Sequence, residues 1–211
     1  MTLTRDVPLV PGQSALLFVD VQNFCARRDG AEFKDLAKPE FDEKYGWFFD
    51  QLESRVVANM QRLQAACRKA GVEVMYTTIE SLTRDGRDRS LDYKLSGMGF
   101  PKGSRESQVI PELAPRPDEM VLPKTSSSVF SSTPLDYLLR NIGIEDVFVT
   151  GYLTDQCIDH AVKDGADRGY FMTCVHDACA AETEARHAAA LQCFQGYCRT
   201  LSTEGVLDLI P

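Results

Sequence analysis

The chain has 211 residues, of which 44% are hydrophobic and 26% charged; this is the size and composition of one globular domain, and it excludes disordered, collagen-like and fibrous proteins. Its formal net charge of −8 argues against nucleic acid and anionic membranes as partners, because both repel an acidic surface. No apolar run approaches the ~18 residues of a membrane span, and an Asp and two prolines interrupt residues 1–14, where a signal peptide has its apolar core.

The cysteines and the absence of targeting signals together favour a cytoplasmic protein. The seven cysteines are odd in number, form no Cys-x-x-Cys pair, and several of them lie in apolar runs. We therefore predict reduced, mostly buried thiols rather than a disulfide framework or a structural zinc site.

Short apolar runs predict six β-strands along the chain. The first, at residues 14–21, is nearly continuous in apolar side chains, as expected of a strand that is covered on both faces of a sheet. The others are expected at residues 72–78, 120–122, 147–151, 170–175 and 199–201.

Helical periodicity fills most segments between these strands. Helices are predicted over residues 51–70, from Thr133 and Pro134 to Gly143, over 156–167 with Thr154 or Asp155 as the N-cap, and over 182–194. The alternation predicts a single α/β domain over residues 1–211, with a parallel sheet covered by helices on both faces. The long polar segment 80–105 interrupts the alternation, and we interpret it as a functional loop or an interaction arm.

Three reactive residues follow predicted strands at their carboxyl ends, where open α/β sheets bind ligands. Cys157 opens a predicted helix, whose dipole and free N–H groups favour the thiolate. Asp20 is placed to take the thiol proton and pass it to a leaving amine, and Lys124 to stabilise both anions. Each also has an ordinary interpretation, as a space-filling cysteine, a capping Asp and a solvated Lys. Together they predict a Cys–Asp–Lys nucleophilic site.

Three segments, in this order, resemble the isochorismatase-like cysteine hydrolase family. They are ALLFVDVQN (15–23), VLPKTSSSVFSSTPLDYLLRNIGIEDVFVTGYLTDQC (121–157) and CVHDACAAETEARHAAAL (174–191). The resemblance implies a six-stranded, Rossmann-like parallel sheet. It also implies that Asp20 is the general base and acid, Lys124 the electrostatic partner and Cys157 the nucleophile. A non-proline cis peptide between Tyr152 and Leu153 is implied too, with the backbone amides of Leu153 and Cys157 forming the oxyanion hole.

The family that the chain resembles contains enzymes with several different reactions, and the histidines and Cys157 distinguish between them. Nicotinamidases of this family hold a metal through an Asp and histidines of their N-terminal half, whereas the three histidines here are His160, His176 and His187. We therefore predict a metal-free enzyme. We also expect no nucleotide cofactor, because no G-x-G-x-x-G or P-loop pattern is present. True isochorismate hydrolases, which cleave an enol ether, lack the nucleophilic cysteine.

These departures favour an amidohydrolase that cleaves a C–N bond of a small amide or ureido compound. The substrate class is of the biuret, triuret, ureidoacrylate or N-carbamoyl amino acid type, with a thioester or thiocarbamate on Cys157 and release of ammonia or an amine. An enol-ether hydrolase and a non-catalytic binding protein on the same fold remain as alternatives.

Side chains near the predicted site are candidates for substrate contact. They are Asn23, Phe24, Glu80, Phe130, Tyr152, Gln156 and Gln195. The arginines of residues 83–89 are candidates for binding a substrate carboxylate, so the choice between neutral and anionic substrates stays open. His160 is expected to point away from the pocket, while His176 and Asp177 are expected to end the fifth strand and support the pocket rim.

We also expect the protein to form an oligomer. Family members usually form dimers or tetramers, so the resemblance implies a homodimer or homotetramer. The aromatic segment 45–49 (YGWFF), if exposed, would form an apolar patch of the kind found at interfaces.

Overall fold

Six strands pair in parallel in the computed structural model, which describes residues 4–211. They are β1 (Ser14–Val19), β2 (Glu73–Ile79), β3 (Met120–Lys124), β4 (Asp146–Tyr152), β5 (Phe171–Ala180) and β6 (Arg199–Leu201). Their order across the sheet is β3-β2-β1-β4-β5-β6. The chain builds β2 and β3 on one side of β1 and then crosses to build β4 on the other side. The carboxyl ends of β1 and β4 therefore flank the crevice where such sheets bind ligands.

Helices cover both faces of this sheet. They are α1 (Asn23–Ala26), α2 (Lys38–Gln51), α3 (Val57–Ala70), α4 (Leu91–Leu95), α5 (Val129–Ser132), α6 (Leu135–Asn141), α7 (Cys157–Asp167), α8 (Glu184–Cys193) and α9 (Thr203–Leu207). Alternate residues of β1 point to opposite faces: Leu16 and Phe18 pack with α2, α3 and α9, and Leu17 and Val19 pack with α5 to α8. The predicted Rossmann-like α/β fold is confirmed. Within residues 4–211, no helix is long and apolar enough to cross a membrane.

The second helical segment is longer than predicted. A helix was expected over residues 51–70, but helical backbone begins at Lys38, with Pro39 in the first turn, and a π-helical turn (Leu52–Val56) joins α2 to α3. Proline fits a first turn because its missing N–H has no helical acceptor there. Gly71 ends α3 in the left-handed conformation, with φ of 75°.

The aromatic segment 45–49 does not form an exposed patch, so that expectation is wrong. Tyr45, Phe48 and Phe49 are 6%, 2% and 1% exposed, and Phe48 packs edge-on against Tyr152. Their i, i+3, i+4 spacing places all three on the inward face of α2. These rings belong to the core of the protein rather than to an interface.

The fifth strand continues past the predicted end. His176 and Asp177 lie inside β5, whose pairing with β4 shifts register between Val149 and Gly151. Asp177 Oδ1 accepts a hydrogen bond from the backbone N–H of Thr203 at 2.7 Å and so binds the start of α9. Two polar residues interrupt the apolar run, which is why the prediction ended the strand at residue 175.

The predicted caps of α7 are also wrong. Gln156 occupies the N-cap position, and its side chain makes no capping hydrogen bond. Thr154 Oγ1 instead lies 2.8 Å from His187 Nδ1, and Asp155 forms an ion pair with Arg186. Both residues therefore connect the loop before α7 to α8.

All seven cysteines are free, and six of them are buried, as the sequence analysis predicted. Cys193 is the exposed one.

Candidate active site

Three side chains converge at the carboxyl ends of β1, β3 and β4. Asp20 directly follows β1, Lys124 ends β3, and Cys157 begins α7. Lys124 Nζ lies 2.9 Å from Asp20 Oδ2 and 3.3 Å from Cys157 Sγ, so the ammonium links the carboxyl group to the thiol. The structure thus brings together the three residues that the sequence analysis singled out, although they are far apart in the chain.

Asp20 has an unusual backbone conformation, and it lies where β2 and β4 both contact the end of β1. Asp20 has a φ of 58°, which non-glycine residues rarely adopt. Thr77 Oγ1 of β2 donates a hydrogen bond to Asp20 Oδ1 at 3.0 Å. On the other side, a Cβ at Gly151 of β4 would lie 2.0 Å from the Val19 oxygen, so only glycine permits this approach of β4 to β1.

The peptide between Tyr152 and Leu153 is cis, as the resemblance implies. Cys157 is the first residue of α7, so its N–H has no acceptor within the helix. The loop from Leu153 to Cys157 therefore brings a free helix-terminal amide next to the thiol.

An apolar pocket of about 450 Å³, including its open mouth, leads to Cys157. Its lining residues are Asp20, Phe24, Cys25, Glu32, Phe33, Tyr45, Phe48, Ile79, Met98, Tyr152, Leu153, Gln156 and Cys157. Four residues predicted to contact substrate or bind an oxyanion line it beside the nucleophile: Phe24, Tyr152, Leu153 and Gln156.

Four predicted substrate contacts do not line this pocket. The Asn23 side chain donates a hydrogen bond to the Arg105 carbonyl oxygen at 2.9 Å. Glu80 lines a separate depression, Phe130 is stacked on a core aromatic ring, and Gln195 is exposed beside β6. These placements depend on tertiary contacts that local sequence does not specify.

The comparisons with known proteins agree with this geometry. The sequence profile of the Isochorismatase domain matches residues 14–204. The chain belongs to the isochorismatase family. Within the part of the chain that the structure describes, this family member has no group of three or more His, Cys, Asp or Glu side chains arranged to hold a metal ion.

Solved structures of relatives share the fold. A cysteine hydrolase from Pseudomonas syringae pv. phaseolicola 1448A has a TM-score of 0.79 at 23% identity, covering 97% of this chain and 95% of that chain. An isochorismatase-like hydrolase from Alkaliphilus metalliredigens has a TM-score of 0.72 at 21% identity, covering 93% and 98%. An N-carbamoylsarcosine amidase from Thermoplasma acidophilum has a TM-score of 0.69 at 26% identity, covering 91% and 97%.

A fourth polar side chain, missed by the sequence analysis, completes the site of this isochorismatase-family protein. Lys124 Nζ donates a hydrogen bond to the Tyr93 hydroxyl at 3.0 Å, and that hydroxyl lies 3.8 Å from Cys157 Sγ. Because the tyrosine oxygen accepts from the ammonium, its own hydrogen is free for the sulfur. Tyr93 belongs to the arm 80–105.

The arm covers the active site of its own chain. Ser90 Oγ caps α4 by accepting a hydrogen bond from the Tyr93 N–H, and the Ser90 N–H donates to the Thr125 carbonyl oxygen at 2.8 Å. Phe100 of the arm packs on Phe24, with ring centroids 4.5 Å apart. The Ser-x-x-Tyr spacing within the arm is a capping signal that the sequence analysis did not use.

The electrostatics of Cys157 differ from the sequence-based expectation. Burial raises the pKa of the thiol to about 12, the Lys124 ammonium offsets this rise only in part, and Asp20 adds to it. Burial lowers the pKa of Lys124, but Asp20, Cys157 and Tyr93 together raise it above its ordinary value. The loss of water around the sulfur therefore outweighs the charge of Lys124, which favours the thiolate.

Proposed function

We propose that this protein is a cysteine amidohydrolase that cleaves a C–N bond of a small amide or ureido compound. One observation carries the proposal: Cys157 and Asp20 line the same pocket, and Lys124 Nζ lies 3.3 Å from Cys157 Sγ and 2.9 Å from Asp20 Oδ2. A nucleophile, a proton acceptor and a cation within bonding distance are the groups that acyl transfer requires.

The similarity to the Thermoplasma acidophilum N-carbamoylsarcosine amidase supports the ureido branch of this proposal, since that relative is named for a carbamoyl substrate. The substrates we consider are biuret, triuret, ureidoacrylate and N-carbamoyl amino acids.

The first half of the reaction forms a covalent intermediate. Cys157 Sγ attacks the carbonyl carbon while its proton passes to Asp20, so no free thiolate accumulates at the raised thiol pKa. The carbonyl oxygen, now an anion, accepts hydrogen bonds from the backbone amides of Leu153 and Cys157. The oxyanion then collapses, the C–N bond breaks, and Asp20 returns the proton to the leaving nitrogen, which departs as ammonia or an amine.

The second half regenerates the enzyme. Asp20 removes a proton from water, whose oxygen attacks the thioester or thiocarbamate carbon on Cys157. The C–S bond then breaks, and the thiol recovers its proton from Asp20. Lys124 stays charged throughout and stabilises whichever neighbour is anionic.

A substrate panel with three variants tests the proposal. Ammonia release is measured from biuret, triuret, ureidoacrylate, N-carbamoyl amino acids and nicotinamide, and isochorismate cleavage is measured in parallel. We expect ammonia from at least one ureido compound, and a loss of about 10³-fold or more in Cys157→Ser and Asp20→Asn. Cys25→Ser is the matched control, because this thiol lines the same pocket but makes its hydrogen bonds to backbone oxygens.

Any one of three results would overturn the proposal. Turnover that survives in Cys157→Ser would remove the covalent step. Cleavage of isochorismate without ammonia from any amide would favour the enol-ether hydrolase, and inactivity on the whole panel with tight ligand binding would favour a binding protein.

We further propose that the protein acts in the cytoplasm as a homodimer or homotetramer without a cofactor. The seven free cysteines support a reducing compartment, and the family resemblance supports the oligomer. Light scattering that finds only monomer would contradict the assembly.

A further inference from the structure

Glu32 is a carboxyl group in the pocket that the mechanism does not use. It lies in the loop between α1 and α2 and lines the pocket together with Cys157. Within residues 4–211, no protein group donates a hydrogen bond to its carboxylate or pairs with it as a cation within salt-bridge distance. A partly buried carboxylate that faces a pocket with no protein partner is available to a ligand.

The loop that carries Glu32 is held rigidly. A Cβ at Gly30 would lie 2.2 Å from the Phe24 carbonyl oxygen, so this glycine lets the loop lie directly against α1. The Glu32 N–H donates to the same oxygen at 3.4 Å, and the Ala31 N–H donates to Glu106 Oε2 at 3.2 Å. Because only two residues separate Asp20 from α1, Glu32 is positioned relative to the catalytic groups. A ligand that binds Glu32 therefore loses little free energy to ordering this side chain.

The charges around the pocket favour a neutral or cationic ligand over an anionic one. Among the pocket-lining residues that the structure describes, Asp20 and Glu32 are acidic and none is Lys, Arg or His. Lys124 is already paired with Asp20. The other charges near Glu32 are Lys44, which is exposed, and Glu182; burial first and then Glu182 raise the pKa of Glu32 to about 7, while Lys44 lowers it.

We propose that Glu32 is a substrate-binding carboxylate that selects ureido or amide compounds by their far end. It accepts a hydrogen bond from an N–H or ammonium group away from the scissile carbonyl, and it repels substrates that carry a carboxylate there. This inference rests on the proposed function and narrows it to neutral or cationic substrates, which places biuret-type compounds before N-carbamoyl amino acids.

Charged thiol reagents test the inference without requiring turnover. Cys157 is treated at pH 8, where Glu32 is ionised, with 2-aminoethyl methanethiosulfonate, which is cationic, and with 2-sulfonatoethyl methanethiosulfonate, which is anionic. Modification of Cys157 is followed by mass spectrometry of its peptide. We expect the cationic reagent to react faster, and the ratio of the two rates to fall about tenfold in Glu32→Gln, since one nearby charge acts on the two reagents in opposite directions.

Glu182→Gln is the matched control. Glu182 is near Glu32 but is paired with Arg186 and does not line the pocket, so its removal should change the ratio much less. Labelling by neutral iodoacetamide should be equal in all three proteins, which shows that the pocket is intact. If Glu32→Gln misfolds, Glu32→Asp replaces it. We then expect the ratio of the two labelling rates to be smaller than in wild type and in Glu182→Gln but larger than one.

The labelling experiment tests the role of Glu32 separately from the proposed amidohydrolase activity. A wild-type ratio near one, or a ratio that Glu32→Gln leaves unchanged, overturns the role of Glu32 whether or not the enzyme releases ammonia. Hydrolysis of N-carbamoylglycine with a higher kcat/KM than biuret also overturns it, while leaving the amidohydrolase proposal in place. Inactivity on every amide overturns the amidohydrolase proposal, and the labelling ratio then still reports on Glu32.

Discussion

Lys124 has no exposed surface, and its charge is balanced entirely by groups of the active site. Its ammonium contacts Asp20 Oδ2, Cys157 Sγ, the Tyr93 hydroxyl and the Ser126 carbonyl oxygen at 2.9–3.3 Å. A buried ammonium is tolerated only where such partners replace water. The ion pair with Asp20 therefore fixes this carboxyl group and the ammonium beside the thiol.

Tyr93 is the residue whose contribution is easiest to isolate. Tyr93→Phe removes one hydroxyl and leaves the ring in place, so Lys124 and the thiol lose a hydrogen-bond partner while the packing is kept. We expect kcat/KM to fall about 10- to 100-fold, the effect of one hydrogen bond to a charged group. The pKa of Cys157, measured from the pH dependence of its alkylation, should rise further, because the thiolate loses a donor.

The control for Tyr93 is Tyr137→Phe, which changes a tyrosine that is 67% exposed on α6. Its kcat/KM and thiol pKa should match those of wild type. An unchanged alkylation profile in Tyr93→Phe would show that the hydroxyl does not reach the sulfur.

Arg89 fixes the internal shape of the arm 80–105. Arg89 donates to the Gly86 carbonyl oxygen at 3.1 Å and to the Met98 carbonyl oxygen at 2.9 Å, across the turn that carries α4. Gly86 and Gly99 have φ of 66° and 140°, and a Cβ at Gly99 would lie 2.4 Å from Arg89 Cδ. The glycines therefore supply both the backbone shape and the space that the arginine needs.

Arg89→Ala should loosen the arm without unfolding the sheet. We expect faster amide hydrogen exchange over residues 80–105 and a several-fold lower kcat/KM, because Tyr93 and Met98 lose their fixed positions. The global free energy of unfolding should change by only about 1 kcal/mol, since the arm adds no strand to the sheet.

Arg87→Ala serves as the control in the same segment. Arg87 is largely exposed and pairs only with Asp85, two residues away. Equal hydrogen exchange in the two variants would show that Arg89 does not hold the arm.

The stability of the whole molecule depends on keeping His187 neutral. His187 of α8 is buried, and its Nδ1 lies 2.8 Å from Thr154 Oγ1 in the loop that precedes Cys157. Burial first, and then the charges of Arg55 and His176, lower its pKa to about 4. In the unfolded chain a histidine binds its proton near pH 6.5. The stability that neutral His187 contributes is therefore complete above about 6.5 and is lost as the pH falls towards 4.

Thermal unfolding at pH 7 and pH 5 measures this contribution. We expect the midpoint of His187→Gln to fall less between these two pH values than that of wild type, because glutamine does not titrate. His160→Gln on the exposed face of α7 should show the wild-type dependence. The same change of the unfolding midpoint between pH 7 and pH 5 in all three proteins would contradict the stabilising role of neutral His187.

The sequence by itself determined the places of the six strands, the sheet class and the three residues that cluster at one edge of the sheet. Short apolar runs that end in Asp20, Lys124 and Gly151 are local signals, and parallel strands necessarily bring their carboxyl ends to one edge of the sheet. The three residues were therefore predictable as a cluster, although their distances were not.

Only the tertiary structure decided which other residues reach the pocket and how the nucleophile ionises. Tyr93 lies in the short helix α4 and Glu32 in a turn, and neither segment has an amphipathic period, so their positions depend on contacts such as those of Ser90 with Thr125 and of Gly30 with Phe24. The pKa of Cys157 depends on burial, which no local pattern contains: the helix terminus and the lysine favour the thiolate, but the loss of water around the sulfur is the larger effect.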